Sequence, residues 1–136
     1  MCPCLTLNVL LVLSAEEAVS LDVRFAYDAD DPLAVQMGFP GAPGHHPPWV
    51  FSRDLPAAGL RAPSGDGDVR VRPPCRCHSS DKVRILLHGR RAAAVLYVRA
   101  APLEDWLART FALVPAGTEG AHLLIEEALA RLLGRP

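Results

Sequence analysis

The sequence predicts an α+β domain: about seven mostly antiparallel strands, a short central helix and two C-terminal helices. Three observations carry that prediction. Apolar and polar residues alternate along most of the first hundred residues, the period of a half-buried strand. The spacing lengthens to a helical period in the last third. The connections between strands are too short for the crossovers that parallel pairing requires, so the pairing is antiparallel.

Leu5 to Leu13 is rich in Leu and Val, broken only by Thr6 and Asn8, and suits a strand buried on one face or both. From Val19 to Asp28 the alternation is nearly ideal: Val19, Leu21, Val23, Phe25 and Tyr27 point one way, and Ser20, Asp22, Arg24, Ala26 and Asp28 the other. Ala29-Asp30-Asp31-Pro32 makes a turn, and Leu33, Val35, Met37 and Phe39 repeat the pattern in a third strand. Pro40 to Pro48 holds too much Pro and Gly for regular structure and reads as a flexible loop, as does the stretch from Pro73 to Lys82. Trp49, Val50 and Phe51 form a short strand, followed by a helical turn with Ser52 as its cap, Asp54 at its positive end and Gly59 at its exit. Pro63, Gly65 and Gly67 supply one fixed φ and two permissive ones for a reversal into a strand where Val69 and Val71 alternate with Arg70 and Arg72. Val83 to His88 and Ala92 to Val98 are the remaining strands, turned at Gly89-Arg90-Arg91.

Pro102 suits the first turn of a helix in which Leu103, Trp106, Leu107, Phe111 and Val114 share a face. Pro115-Ala116-Gly117 breaks it. A final helix runs from about Thr118 or Gly120 with Leu124, Ile125, Ala128, Leu129 and Leu132 as its stripe, Glu127 and Arg131 four apart, and Gly134 at its end.

At 136 residues the chain is the size of one domain, residues 1–136, that buries a core without disulfides. Half of its residues are hydrophobic and 21% are charged, a globular composition. The formal net charge of −1 gives no whole-chain attraction to nucleic acid or anionic lipid. Leu5 to Ala15 is apolar but shorter than a membrane span, has no basic residues before it and runs straight into Glu16-Glu17. A cytoplasmic, reducing setting follows, in which four cysteines are thiols.

Several spaced blocks give a more specific signal. Tyr27-Asp28-Ala29-Asp30-Asp31-Pro32-Leu33-Ala34-Val35 is followed by Trp49-Val50-Phe51-Ser52-Arg53-Asp54-Leu55 with Gly59-Leu60, then by Pro63-Ser64-Gly65-Asp66-Gly67-Asp68-Val69-Arg70-Val71. Leu107-Ala108-Arg109-Thr110 and Val114-Pro115-Ala116-Gly117-Thr118-Glu119 close the series. In this order the blocks resemble the SsgA/SsgB-like family of sporulation and cell-division regulators of streptomycetes and related actinobacteria. Leu33 stands where that family usually has tyrosine, Ser52 where alanine is usual, Pro56-Ala57 where two leucines are common, and Arg72 where tryptophan often sits. The resemblance implies a whirly-like arrangement of curved antiparallel sheets, assembling as a homotrimer. It implies a non-enzymatic adaptor, without cofactor, that acts at the septum in sporulation-specific division. The partners it implies are the tubulin-like division GTPase FtsZ and other SsgA-like proteins.

The residues offer few chemical alternatives. Cys2-Pro3-Cys4 and Cys75-Arg76-Cys77-His78 hold soft ligands for zinc, with Cys75, Cys77 and His78 as the core set. One intervening residue splays two sulfurs on extended backbone, so incidental thiols are the preferred reading. His45-His46 invites a metal or pH-switch role, and Glu119, His122 and Glu126 share a helical face that would suit a divalent cation. Solvent-exposed loop filler and a solvated helix edge are preferred for these. Asp28, Asp30 and Asp31 belong to a turn, and Gly65-Asp66-Gly67-Asp68 lacks the further carboxylates of a calcium loop. No P-loop, nucleophile elbow or dinucleotide fingerprint occurs, so an enzyme is not expected. The functional alternative is single-stranded nucleic-acid binding on a basic sheet face formed by Arg70, Arg72, Arg76 and Arg84. Asp66, Asp68 and Asp81 dilute that charge, and a mixed, solvated face is preferred. A structural scaffold without a defined partner is a third reading.

Overall fold

The longest pairing in the molecule joins β1 (Cys4–Val12) to β2 (Ala18–Ala26), in register from Cys4↔Ala26 to Val12↔Ala18. The computed structural model describes residues 3–44, 46–90 and 92–134, residues 121–127 by backbone alone. β3 (Ala34–Gly38) and β4 (Trp49–Ser52) continue the meander outward from β2. A second meander, β5 (Val69–Arg72), β6 (Lys82–His88) and β7 (Ala93–Arg99), joins the first through Leu10↔Tyr97, Leu11↔Leu96 and Val12↔Val95. All pairings are antiparallel. The strands make one curved sheet in the order β4-β3-β2-β1-β7-β6-β5, where the sequence had suggested more than one sheet.

Alternation decides which face is wet. Val9, Val23, Phe25, Val35, Met37, Val83, Ile85 and Leu96 bury on the concave side against α2 (Ala100–Leu113), whose Leu103, Trp106 and Leu107 complete the core. The Phe25 and Trp106 rings lie 5.8 Å apart. At the tip of the β1–β2 hairpin the pattern outruns the core, and Val19, expected inward, is 48% exposed. The opposite side of the sheet carries the other half of the alternation, and none of those strand side chains is buried.

Helix α1 (Asp54–Gly59) runs from β4 to β5, the two outermost strands, and packs on both, nearly closing the sheet. Gly59 is required there by proximity, because a Cβ would overlap Cγ1 and Cβ of Val71. Its backbone is not left-handed, so the exit role expected for it is replaced by one of close packing. Gly65 does take a positive φ, 90°, and a Cβ there would meet Val69 O at 2.7 Å. Gly67 has neither a positive φ nor a neighbour, and nothing in the structure demands glycine there. The cap of α1 also differs from expectation: Arg53 occupies that position, and Ser52 Oγ accepts the Asp54 N–H at 3.2 Å from one residue further out.

α3 (Glu119–Leu132) follows a turn at Gly117 (φ 85°), and Gly134 (φ 70°) ends it. Its apolar stripe does not reach the core at its far end. Leu129 is 45% exposed and Leu132 80%. Leu124 and Ile125 fall among the side chains outside the described residues.

Candidate functional site

The most concentrated polar arrangement lies inside the molecule, on the residue that follows β4. Arg53 is 1% exposed because α2, α3 and the strand ends enclose it. Its Nη1 donates to Thr110 O at 3.0 Å and to Val114 O at 2.8 Å, carbonyls at the end of α2, the first of which also accepts the Val114 N–H. A cation at that end also complements the helix dipole. Nη2 donates to Glu119 Oε2 at 2.7 Å, and Glu119 Oε1 accepts the Gly117 N–H at 2.8 Å. The guanidinium carbon sits 4.0 Å from the Phe111 ring centroid and 5.1 Å from that of Tyr27. Nε alone has no partner among the described residues.

The electrostatics follow from the contacts. The Arg53 hydrogen bond holds the Glu119 carboxyl below its ordinary range, helped by the backbone N–H groups of Glu119 and Gly117. Burial pushes the Tyr27 phenol up, with Arg53 pulling the other way, and its hydroxyl donates to Pro32 O at 2.9 Å. Every group in this cluster is turned toward another part of the chain. It fastens the β4 end to both C-terminal helices. Glu119 is therefore not the solvated helix edge expected of it. Both its oxygens are engaged inside the fold, and the side chains of His122 and Glu126, its proposed companions in a cation site, lie outside the described residues.

The four candidate arginines divide. Arg70, Arg72 and Arg84 share the uncovered face of the sheet, with Arg72 directly across from Arg84 and Arg84 across from Tyr97. Two of them also brace the loop before β5: Arg70 donates to Gly67 O and Asp66 O, and Arg72 to Ser64 O. Arg76 is exposed in the loop between β5 and β6. In that same loop Cys75 Sγ lies 3.0 Å from His78 Nδ1, while Cys77 is exposed. Cys4 is at the start of β1, beside Arg24, and Cys2 lies outside the described residues. Among the described residues no three His, Cys, Asp or Glu side chains gather where a metal ion would sit. His45 is likewise outside them, and His46 Nε2 is 3.1 Å from Pro43 O. Asp28 Oδ1 accepts the Asp30 N–H at 2.9 Å, so the acidic run is the turn the sequence suggested. No helix among the described residues is long and apolar enough to cross a membrane.

The described residues thus define a nearly closed antiparallel sheet wrapped on one helix, with the buried Arg53–Glu119 pair tying β4 to the C-terminal helices. The chain belongs to the SsgA family: the model described as "Streptomyces sporulation and cell division protein, SsgA" matches residues 21–119. It is 40% identical over 127 residues to the sporulation-specific cell division protein SsgB of Streptomyces coelicolor, covering 93% of this chain and 92% of that one. The SsgB of Saccharopolyspora erythraea is 39% identical over 116 residues, 85% of this chain and 81% of its own. Among solved structures, an SsgA-like sporulation-specific cell division protein from Thermobifida fusca superposes with a TM-score of 0.84 at 30% identity, over 96% of this chain and 95% of that one. A Streptomyces coelicolor SsgB structure gives 0.79 at 40% identity, over 90% and 95%.

The Arg53–Glu119 tie was not singled out by sequence reasoning. The signal for it was present: an arginine at the end of an apolar strand, and a glutamate at the first position of a helix just after a breaker.

Proposed function

We propose that the protein is a non-enzymatic adaptor in sporulation-specific cell division, acting by protein–protein binding in septum positioning or assembly. The observation that carries this is the likeness, over nine-tenths of the chain, to a protein named for that process. The surface supports a binding mechanism. Leu129, Leu132 and Leu133 stay exposed along the end of α3, apolar area that a soluble monomer gains nothing by displaying. A homotrimer built with that area would present three copies of each contact and turn weak binding into avidity. The partners in this reading are the tubulin-like GTPase FtsZ and other SsgA-like proteins, and the chain works in the cytoplasm, concentrated at septa.

The test is to tag the chain in sporulating filaments and to delete its gene. Septal foci, with disturbed septation or spore maturation in the deletion, are expected. Diffuse signal together with normal spores removes the reading.

A further inference from the structure

The uncovered face of the sheet carries a trough that no part of the described chain fills. Its floor is Ala26 of β2 with Gln36 and Gly38 of β3, all turned away from α2 by the strand alternation. Val50, which pairs with Gln36, and the prolines of the β3–β4 loop wall it on one side, while the Trp49 side chain alternates to the core face with Met37; Arg24 stands on β2 opposite Gly38. The hollow measures about 910 Å³, within the size that small ligands and peptide side chains occupy. A second hollow of about 210 Å³ shares Arg24, Ala26 and Gln36 with it and ends at Asp28 and Asp31. Along β3 from Ala34 to Gly38 the floor is roughly 13 Å long at about 3.3 Å per residue, the reach of four or five extended residues.

The charge pattern narrows what fits. Arg24 is the one side chain among Asp, Glu, Lys and Arg that lines the larger hollow among the described residues. Its guanidinium donates to Cys4 Sγ at 3.4 Å, and none of the ion pairs among the described residues includes it. A carboxylate arriving there meets a fixed cation with an apolar wall beside it, where a charge-assisted hydrogen bond is strong. A polyanion such as nucleic acid would instead run on into Asp28 and Asp31. The register places Arg24 level with Gly38, Val50 level with Gln36 and Asp28 beyond Ala26, so an acid at one end, an apolar side chain in the middle and a base at the other match the three zones.

We propose that this trough receives an extended segment of a partner protein, seating a carboxylate on Arg24 and an apolar side chain against Val50. The proposal deepens the adaptor reading and rests on it.

The experiment uses the full chain and a pool of end-capped hexapeptides with glutamate at the second position, an aliphatic or aromatic residue at the fourth and lysine at the sixth, plus the reverse-order pool. Binding is read from the Val50 methyl resonances, with those of buried Val23 as the internal control. Val50 is expected to shift while Val23 stays in place. Replacing glutamate by glutamine in the pool, or making Arg24→Glu in the protein, is expected to weaken binding at least tenfold. Gly38→Phe is expected to abolish it without loss of fold, because a side chain at Gly38 meets open space. An unmoved Val50 at millimolar peptide, or equal binding of the glutamine pool, overturns the proposal. The two levels separate in cells. If Gly38→Phe still reaches septa and binds its partners, the trough is wrong and the adaptor reading stands; if the unmodified chain is diffuse, the adaptor reading itself fails.

Discussion

Replacing Arg53 by methionine is the perturbation that best tests how this molecule is held together. Methionine keeps most of the buried volume against Phe111 and Tyr27 but removes every donor, so the change isolates polar loss from packing loss. Hydrogen bonds to a charged group contribute about 1.5–3 kcal/mol each, and Arg53 makes two to the end of α2. Thr110 O retains the Val114 N–H at 3.0 Å, so the heavier loss falls on Val114 O. The expected destabilisation is about 3–5 kcal/mol before anything is assigned to Glu119, against a total of roughly 5–15 kcal/mol for a domain. In thermal terms that is a drop of about 10–20 °C for a chain of this size. Urea unfolding at pH 7, followed by Trp106 fluorescence and far-ultraviolet dichroism, measures it. Arg53→Lys should fall between, since one ammonium cannot reach three acceptors in the fork geometry. A loss below about 1 kcal/mol with an unchanged urea slope would refute the view that this tie anchors the C-terminal helices.

Glu119 gives the pH dependence. Its folded pKa is depressed, so its contribution is complete above the unfolded value near 4.5 and is lost as pH falls from there through the folded value. Glu119→Gln should therefore flatten the acid limb of the stability profile, measured by urea unfolding between pH 7 and pH 3. Gly59→Ala should destabilise, by about 1–3 kcal/mol of overpacking against Val71, although alanine is the better helix former by about 1 kcal/mol. The Val71 Cβ it strikes cannot rotate away. Gly67→Ala, in open space at an ordinary φ, should instead stabilise by about 0.4–1 kcal/mol, and calorimetry reads both signs. Leu132→Glu with Leu133→Glu should convert the assembled form to monomer in sedimentation, if α3 supplies the contact.

The strands were legible because each carries its own evidence. A period of two over Leu21 to Tyr27 needs no knowledge of the partner strand, and β2, β3, β6 and β7 lie where alternation puts them. What periodicity cannot supply is which ends meet. That β1 joins β7, making one sheet of two meanders, depends on pairing across more than eighty residues. The same limit hid the role of Gly59, since a close approach to Val71 leaves no mark on the residues next to it. Arg53 was hidden for a different reason. Arginine is almost never fully buried unless paired, so an arginine in a turn reads as surface until its acceptors are seen.

The family blocks themselves were recognised before their purpose was. Tyr27, Arg53, Thr110, Val114 and Glu119 come from four blocks spread over more than ninety residues, and they meet around a single guanidinium. A cluster buried this deeply cannot touch a partner. The blocks that mark the family thus specify how the chain closes on itself, and what distinguishes one member's contacts must lie outside them or on their outer faces. The departures from the family pattern agree with that division: Leu33 is 50% exposed, and Ser52 and Arg72 stand on the uncovered side of β4 and β5. Pro56, buried in α1, is the exception, and it is a packing change. In the adaptor reading proposed above, selection of a partner is therefore to be sought on the outer face of the sheet, where both the trough beside Arg24 and the altered Ser52 and Arg72 are found.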